Sequence, residues 1–554
     1  MTEHVDPDLA GRAAATRVVV VGGGIAGLVA AWECARIGMP VTLLEATGRL
    51  GGSIETVRLD GIAVDLVADA VPRGPGALAD LIDDLGLREL VEPAATEVVA
   101  IAAAAPNRPA GAVQVTPLPQ HLAGIPANTW AEPVRRIVGA AGVWRAYLDR
   151  LRPPLTIGRQ RSLGDLVRTR MGARVRDRMV APLSVGLYGV EPELVDADLA
   201  VPGLSAALTR AGSLSGAVGQ LLPDAPSGDG TDAGATTSGH PRRGTLRGGL
   251  STLVSALTER LRDLDVDIRL DAPVVELRPL DDGWAIRTST PASSAGTEGA
   301  GSAEEGAGAP VGTTADGGAD RAAGAEASGS PTPTDMTADI VVLAATAGSI
   351  AALLTTLGVR VEVPVAPVRD VVTLVTDAAT PTSGPDAGRA APALVCAVPG
   401  ASAAATLVDA AAMWPSVAAA AGPERRVLRV ALVAGDGDGD GGGDDDDDGY
   451  ATGRAAGVES DAALVARAYH EAVAVFGSGV GEVRAAAHRR VTLMPPASTL
   501  DHADRATSAR AAVARLGGVA AVGSWLSGGG LATVVGDTVE EIESVRRETL
   551  FGRH

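Results

Sequence analysis

The sequence predicts an α/β protein, a Rossmann-like unit joined to a discontinuous α+β domain. Three observations lead there. An apolar β-type run at 18–21 enters Gly22-x-Gly24-x-x-Gly27, and an alanine-rich helical stretch leads to a second run at 41–44 that ends in Glu45. That is the order of a βαβ unit. Further strand-like runs at 338–344 and 519–523 stand far downstream. Three low-complexity segments, at about 223–243, 289–337 and 435–449, cut the rest into separate pieces.

Each part of the first unit has a physical task. Gly22 permits the tight turn out of the strand, Gly24 lets the backbone approach a pyrophosphate, and Gly27 lets the helix pack closely on the sheet. The helix N-terminus offers unpaired N–H groups and a positive dipole end to phosphates. Glu45 stands about twenty residues on, where a carboxylate accepts ribose hydroxyls. A lone GxGxxG is a weak signal, but this context makes it a dinucleotide site. The residues that follow, Arg49-Leu50-Gly51-Gly52-Ser53, resemble the R-x-G-G-R/S extension of FAD enzymes in the amine oxidase and protoporphyrinogen oxidase superfamily. The resemblance implies FAD as cofactor and an FAD-binding domain of the GR2-type flavoproteins. It also implies that Arg49 reaches the FAD phosphates, that Gly51 and Gly52 pass close to the flavin, and that Ser53 completes the motif.

At 554 residues the chain has length for two domains with real cores, at roughly 150 residues each. Much of its 46% hydrophobic content is alanine and valine, and aromatics make up only 2%. A net charge of -20 leaves no basic excess to release counterions from nucleic acid. Part of that charge is local, in the acidic run 444–448. There is no lysine in the sequence. Schiff-base, general-base and flavin-adjacent lysines are therefore excluded, and anion recognition falls to arginine forks. Cys34 and Cys396, the only cysteines, make neither a disulfide framework nor a metal site, and no metal is expected. The acidic, polar N-terminus lacks the regions of a signal peptide, so the expected location is the cytoplasm. The apolar stretch 18–31 is too short and glycine-broken to span a bilayer. Peripheral membrane contact is left open.

The remaining pieces fall into order. Residues 16–71 form the first part of the FAD-binding domain, and 72–222 a helix-rich first part of a substrate domain, with one helix expected over 163–179. Residues 244–261 read as a loop entering an amphipathic helix, 272–280 with 284–288 as a hairpin, and 338–344 as a buried strand. Residues 244–350 thus return to the FAD-binding domain. Residues 351–492 return to the substrate domain, with a strand at 426–433 and a helix over 461–476 capped by Ser460. The stretch 493–554 closes the FAD-binding domain with a strand, a glycine turn and a helix. The three insertions bury too little apolar surface to offset chain entropy, so disorder is expected. Asp436, Asp438, Asp440 and Gly441 imitate the start of a calcium loop. Position twelve, however, is Asp447, and a strand precedes where a helix is required. We read a solvated acidic loop there.

This order of parts resembles the porphyrinogen oxidases: protoporphyrinogen oxidase and the coproporphyrin-forming coproporphyrinogen III oxidase. VDLVADAV (64–71) is similar to the family's V-D-x-G-A-E/D segment, which passes the flavin. Residues 81–90, 181–204 and 245–257 are similar to its E-L-G-L, P-x-x-x-G-x-Y and T-x-x-G-G stretches, and 521–537 to its terminal flavin-binding turn and helix. The resemblance implies cofactor contacts from Ser524, Trp525, Gly530, Leu531 and, at the hairpin start, Val274. It implies a substrate-binding arginine, Arg73, beyond the flavin-passing segment. Val67 stands where the family has glycine, and Ser524 where it has a carboxylate. Arg168, Arg170, Arg174, Arg176 and Arg178 read as a solvated helix face and Tyr188 as core packing. His121, His488 and His502 show no partner pattern.

The activity implied is FAD-dependent, six-electron dehydrogenation of coproporphyrinogen III to coproporphyrin III, with dioxygen as acceptor and hydrogen peroxide as product. Such chemistry needs no lysine, metal or nucleophile, and no catalytic side chain is assigned. Arginines of the second domain should meet the substrate's propionates. Protoporphyrinogen IX is the alternative substrate, and contact with a haem-pathway enzyme is left open. Amine oxidation shares the fold and FAD but uses a lysine-held water and an aromatic cage. A carotenoid desaturase fits the N-terminal motif alone, and a non-catalytic flavin-binding haem-pathway partner fits Ser524 and the insertions.

Overall fold

The computed structural model describes residues 7–105, 112–152, 161–222, 242–289, 334–378, 392–433 and 460–552. Most of the three expected insertions, with the calcium-loop imitation, lies outside the described residues. Two of their edges lie inside and correct the expectation. Arg243 opens a strand, Arg243–Leu246, and Thr334–Ala338 pairs antiparallel with Gly283–Thr288. Both edges end in backbone hydrogen-bonded to a neighbouring strand, which composition does not register.

Two large sheets organise the molecule. The first is parallel and five-stranded, in the order Asp267–Arg269, Val41–Leu44, Val18–Val21, Ile340–Leu343, Val519–Ala521. Its central strands are continuous apolar runs because both faces are covered. Val18, Val20, Leu43 and Val342 join a core with helices Ile25–Ala35, Ser251–Asp263 and Leu531–Phe551. The alternate residues Val19, Val21, Leu44 and Val341 pack with helices Ala347–Thr356 and His502–Ala514. The expected hairpin forms as Val274–Leu280 and Gly283–Thr288. Its Trp284 is tied down by a bond from Nε1 to the Gly517 carbonyl, 2.9 Å.

The second sheet has seven strands: Val480–Thr492, Val368–Ala378, Arg425–Val433, Ala404–Asp409, Leu394–Ala397, Val99–Ala104 and Val113–Pro117. One face, with Val372, Leu374, Leu428 and Val430, is covered by helix Asp461–Phe476. That helix has its expected limits, and Ser460 Oγ accepts from the Ala463 N–H at 3.3 Å. The other face carries Val375, Val427 and Cys396 into a core with the helices of 132–221.

The helix expected over 163–179 does not run through. It stops at Leu163–Met171, where Gly172 takes φ 95°, and resumes as Ala173–Val175 and a π turn, Arg176–Val180. The break turns the arginine row onto different faces: Arg168, Arg174 and Arg178 are exposed as expected, while Arg170 is buried and Arg176 half-buried. Arg170 is 4% exposed and its Nε meets Asp149 Oδ1 at 2.6 Å. Arg176 meets Glu191 at 3.0 Å and also Glu193, which Arg168 reaches too. Arg174 and Arg178 donate to the Val138 and Ile137 carbonyls. Tyr188 likewise differs from expectation. It ends helix Ala181–Tyr188 at 44% exposure, before Gly189 turns at φ 67°.

Candidate active site

The first glycine loop is built as its spacing requires. Gly22 turns at φ 111°, and a Cβ there would stand 2.6 Å from the Ala344 carbonyl oxygen. At Gly27 a Cβ would overlap the Gly22 carbonyl oxygen, so glycine alone lets the helix seat on the turn. Gly24 is the N-cap of helix Ile25–Ala35, with no side-chain cap and no acidic residue in its first turn. Its N–H groups and dipole are left for a ligand anion.

The second glycine turn lies against the first. Gly51 N–H donates to the Gly23 carbonyl at 2.8 Å, and a Cβ on Gly52 would come 3.2 Å from Gly24 Cα. Ser53 is exposed beside it. The Arg49 guanidinium spans its own turn, donating to the carbonyls of Gly52 (2.6 Å), Ile54 (3.2 Å) and Leu50 (3.3 Å). It also pairs with Glu55 at 3.1 Å. Glu45 Oε2 accepts from Gly23 N–H at 2.6 Å, and Oε1 from Thr47 N–H at 2.9 Å and Thr47 Oγ1 at 2.7 Å. A carboxylate has about four acceptor sites, so capacity remains for a hydroxyl. The Ala272 N–H donates to the Glu45 carbonyl at 2.8 Å, which brings the half-buried Val274 to the same end.

The closing segment supplies a second uncapped helix. Gly530, at φ 121°, is the N-cap of Leu531–Phe551, again with no side-chain cap and no acid in the first turn. Just before it Trp525 is 5% exposed, and its Nε1 is buried without a hydrogen-bond partner. Ser524 and Leu531 are half-buried. Two uncapped helix N-termini, a glycine pair in contact and an orphaned indole donor present donors for an acceptor-rich ligand. These residues fit a flavin dinucleotide.

A cavity of about 190 Å³ lies against the seven-stranded sheet. The segment 64–71 contributes Asp65 and Asp69 to it, Gly248 and Gly249 line its edge, and Thr373, Trp414 and Arg429 come from the far side. Asp69 pairs with Arg429 at 2.7 Å and accepts from Trp414 Nε1 at 3.2 Å. Asp65 accepts from the Leu250 N–H (3.0 Å to Oδ1, 3.1 Å to Oδ2) and from Thr56 Oγ1. Burial nevertheless pushes its carboxyl up to about 6, against the bonds from Thr56 and Leu250 and the charge of Arg429. Arg429 and Trp414 had no sequence signal, and Asp65 and Asp69 were visible only as members of a motif. Arg73 is exposed, with its N–H on the Arg242 carbonyl at 2.7 Å, and is not in the cavity lining. Among the described residues no helix is long and apolar enough to cross a membrane, and no His, Cys, Asp or Glu group could hold a metal.

Residues 25–297 match the family of flavin containing amine oxidoreductases. The coproporphyrinogen III oxidase of Mycobacterium tuberculosis H37Rv is 32% identical over 279 residues, 49% of this chain and 55% of that one. The mitochondrial protoporphyrinogen oxidase of Nicotiana tabacum is 26% identical over 305 residues, 50% and 55% of the two chains. The matched stretches span about half the length of these curated relatives. A crystal structure from Exiguobacterium sp. 255-15, provisionally named a protoporphyrinogen oxidase, shares the fold. Its TM-score is 0.70 at 22% identity, over 96% of this chain and 99% of that one. Over about half its length the chain is thus similar to coproporphyrinogen III and protoporphyrinogen oxidases, and residues 25–297 to the flavin containing amine oxidoreductases; its cofactor is FAD.

Proposed function

We propose that this chain is an FAD-dependent oxidase of porphyrin and haem synthesis, acting in the cytoplasm. It converts coproporphyrinogen III to coproporphyrin III, with dioxygen as acceptor and hydrogen peroxide as product. The observation that carries this reading is the 32% identity to a coproporphyrinogen III oxidase in a chain that forms a flavin cradle beside a cavity. The domain division that goes with it assigns 16–71, 244–350 and 493–554 to FAD and 72–222 and 351–492 to substrate.

Bound FAD would supply a two-electron acceptor for a hydride from a meso carbon, restored by dioxygen. The chain's own residues bind and orient. The uncapped N-termini at Gly24 and Gly530 would offer N–H groups to the cofactor, Glu45 would take a ribose hydroxyl, and Trp525 Nε1, buried without a partner, would donate to an acceptor. Arg49 holds the turn in which Gly51 and Gly52 pass the cofactor. The Asp69–Arg429–Trp414 group fixes the cavity wall. Asp65 holds a proton below about pH 6. Amine oxidation draws no support from a chain without lysine. The tobacco relative keeps protoporphyrinogen IX as the second reading.

The test mixes FAD-loaded protein in air with anaerobically prepared coproporphyrinogen III or protoporphyrinogen IX, following porphyrin fluorescence and peroxide together. The expected result is faster coproporphyrin formation, with three peroxides for each six-electron oxidation. Faster protoporphyrin formation would move the assignment to the second substrate. Bound flavin with oxidation of neither would overturn the function.

A further inference from the structure

The chain has six tryptophans. Trp284, Trp414 and Trp525 are buried and Trp32 is half-buried, but Trp130 and Trp144 stand 49% and 58% exposed. These two lie together. Their rings meet edge to face with centroids 5.2 Å apart, and the Tyr147 ring stands 5.4 Å from Trp130 and 6.1 Å from Trp144. The cluster belongs to helix Glu132–Tyr147 and the short turn Leu148–Leu151 that continues it. Val134, Ile137, Val138, Val143 and Ala146 turn inward and join the core. Trp144, Leu148 and Leu151, at i, i+4 and i+7, turn outward, and Leu151 is 78% exposed. The element is therefore apolar on both its inner and its outer side. One exposed leucine needs no explanation, whereas a contiguous apolar patch rimmed by polar residues marks a surface that meets a partner.

The rim of this patch is basic. Arg135, Arg150 and Arg152 are exposed and Arg145 is half-buried, and none of them has a carboxylate within ion-pair distance among the described residues. Arg145 donates to the Thr169 and Arg170 carbonyls, both at 2.8 Å, and Arg150 lies 5.5 Å from the centroid of the Tyr147 ring. Arg174 and Arg178 sit against the same helix, on the Val138 and Ile137 carbonyls. The acids of the element are already neutralised, Glu132 by Arg136 and Asp149 by Arg170. The whole chain carries a charge of -20, so this basic face stands out against the rest of its surface.

Charge and shape choose the occupant. A second copy would bring the same arginines face to face across a two-fold axis. An acidic protein would need pockets cut to Trp144 and Leu151. An anionic bilayer needs neither. Its headgroup layer takes tryptophan and tyrosine rings, its acyl boundary takes leucine, and its surface charge attracts arginines whose stems lie along apolar surface. We propose that the patch of Trp130, Trp144, Tyr147, Leu148 and Leu151 docks the protein on an anionic lipid surface. The end of the helix seats among the headgroups and the arginine rim meets their phosphates. The inference stands apart from the porphyrinogen reading and holds for any reaction at the flavin.

The experiment floats the FAD-loaded full chain with vesicles of phosphatidylcholine, alone or with about one-third phosphatidylglycerol, and follows tryptophan emission. Wild type should bind the anionic vesicles about tenfold more tightly than the neutral ones, with emission shifted to the blue, and high salt should weaken that binding. Trp144→Ser combined with Leu151→Ser should lower the affinity about tenfold. Arg150→Gln combined with Arg152→Gln should remove most of the preference for anionic lipid. Flavin content, Tm and turnover in vesicle-free buffer should match wild type in both variants, which separates docking from folding and from the function proposed above. Wild type that binds neither vesicle, or both equally, would overturn the docking, as would variants that bind like wild type. Without vesicle binding, a dimer lost in the Trp144→Ser, Leu151→Ser variant would give the patch to a second copy, and a monomer would give it to an acidic protein. A lowered Tm in both variants, with vesicle binding unchanged, would return the patch to the protein's own packing. Wild type that docks but oxidises no porphyrinogen would sink the function and uphold the docking.

Discussion

Gly27 is the position where the nucleotide cradle has least tolerance. A Cβ there would overlap the carbonyl oxygen of Gly22, itself fixed at φ 111° against Ala344. Gly27→Ala is expected to lower the flavin content of purified protein about tenfold, measured by visible absorbance. Full flavin content would show that the helix can shift at no cost. Asp65 makes a separate prediction. Its carboxyl rises from 3.8 to about 6, first because of burial. The folded state therefore holds the proton more tightly than the unfolded chain. The stabilisation is complete below the unfolded value and is lost as pH rises through about 6. The shift corresponds to the order of ~3 kcal/mol. Asp65→Asn should flatten the stability profile across that window in denaturant melts, and an equally steep profile would remove Asp65 as its source. The cradle glycines were legible because residue type alone sets their backbone freedom. Arg429 was not, because its place in the cavity wall against Asp69 arises only when distant stretches meet.

Among the elements, those with local signals at both ends were readable. Helix Asp461–Phe476 has a serine cap before it and a glycine, Gly477, after it. Ser460→Ala should cost about 1 kcal/mol, read by denaturant unfolding, and no change would mean the cap is not used. The segment 163–180 was misread because its spacing continues through Gly172, while the φ of 95° there does not. The buried Arg170–Asp149 pair forms beside that break, and Asp149 Oδ2 also accepts from the Leu214 N–H at 2.6 Å. Asp149→Ala removes the counterion of Arg170, which keeps its bond to the Gly212 carbonyl, and the acceptor of the Leu214 N–H, and should destabilise by about 3–5 kcal/mol. A loss under about 1 kcal/mol, the size of an exposed pair, would contradict that account.

At the scale of the molecule, strands from four separate stretches make the parallel sheet, and the strands of the seven-stranded one fall in the gaps between them, at 99–117 and 368–492. The Gly-x-Gly turn and the continuous apolar runs announced the first sheet. The second had weaker signals, since its order, including the parallel pair Leu394–Ala397 with Val99–Ala104, depends on contacts far apart in sequence. The cavity is lined from 58–69, 245–249, Thr373 and 410–429, stretches far apart in sequence, so its lining could not be read along the chain. A cofactor held by several distant stretches should also stabilise the whole. FAD in hundredfold excess over its Kd is expected to add about 2.7 kcal/mol, and an unchanged Tm would place binding outside the folded cradle.

The central claim is that this flavin site oxidises a porphyrinogen. Its most direct test is anaerobic stopped-flow mixing of the FAD-loaded protein with coproporphyrinogen III, protoporphyrinogen IX or a simple amine such as putrescine. The visible band of the oxidised flavin is followed through a single turnover. Rapid bleaching by coproporphyrinogen III, slower bleaching by protoporphyrinogen IX and none by the amine is the predicted result. Bleaching by the amine, with the flavin left oxidised by both porphyrinogens, would contradict it.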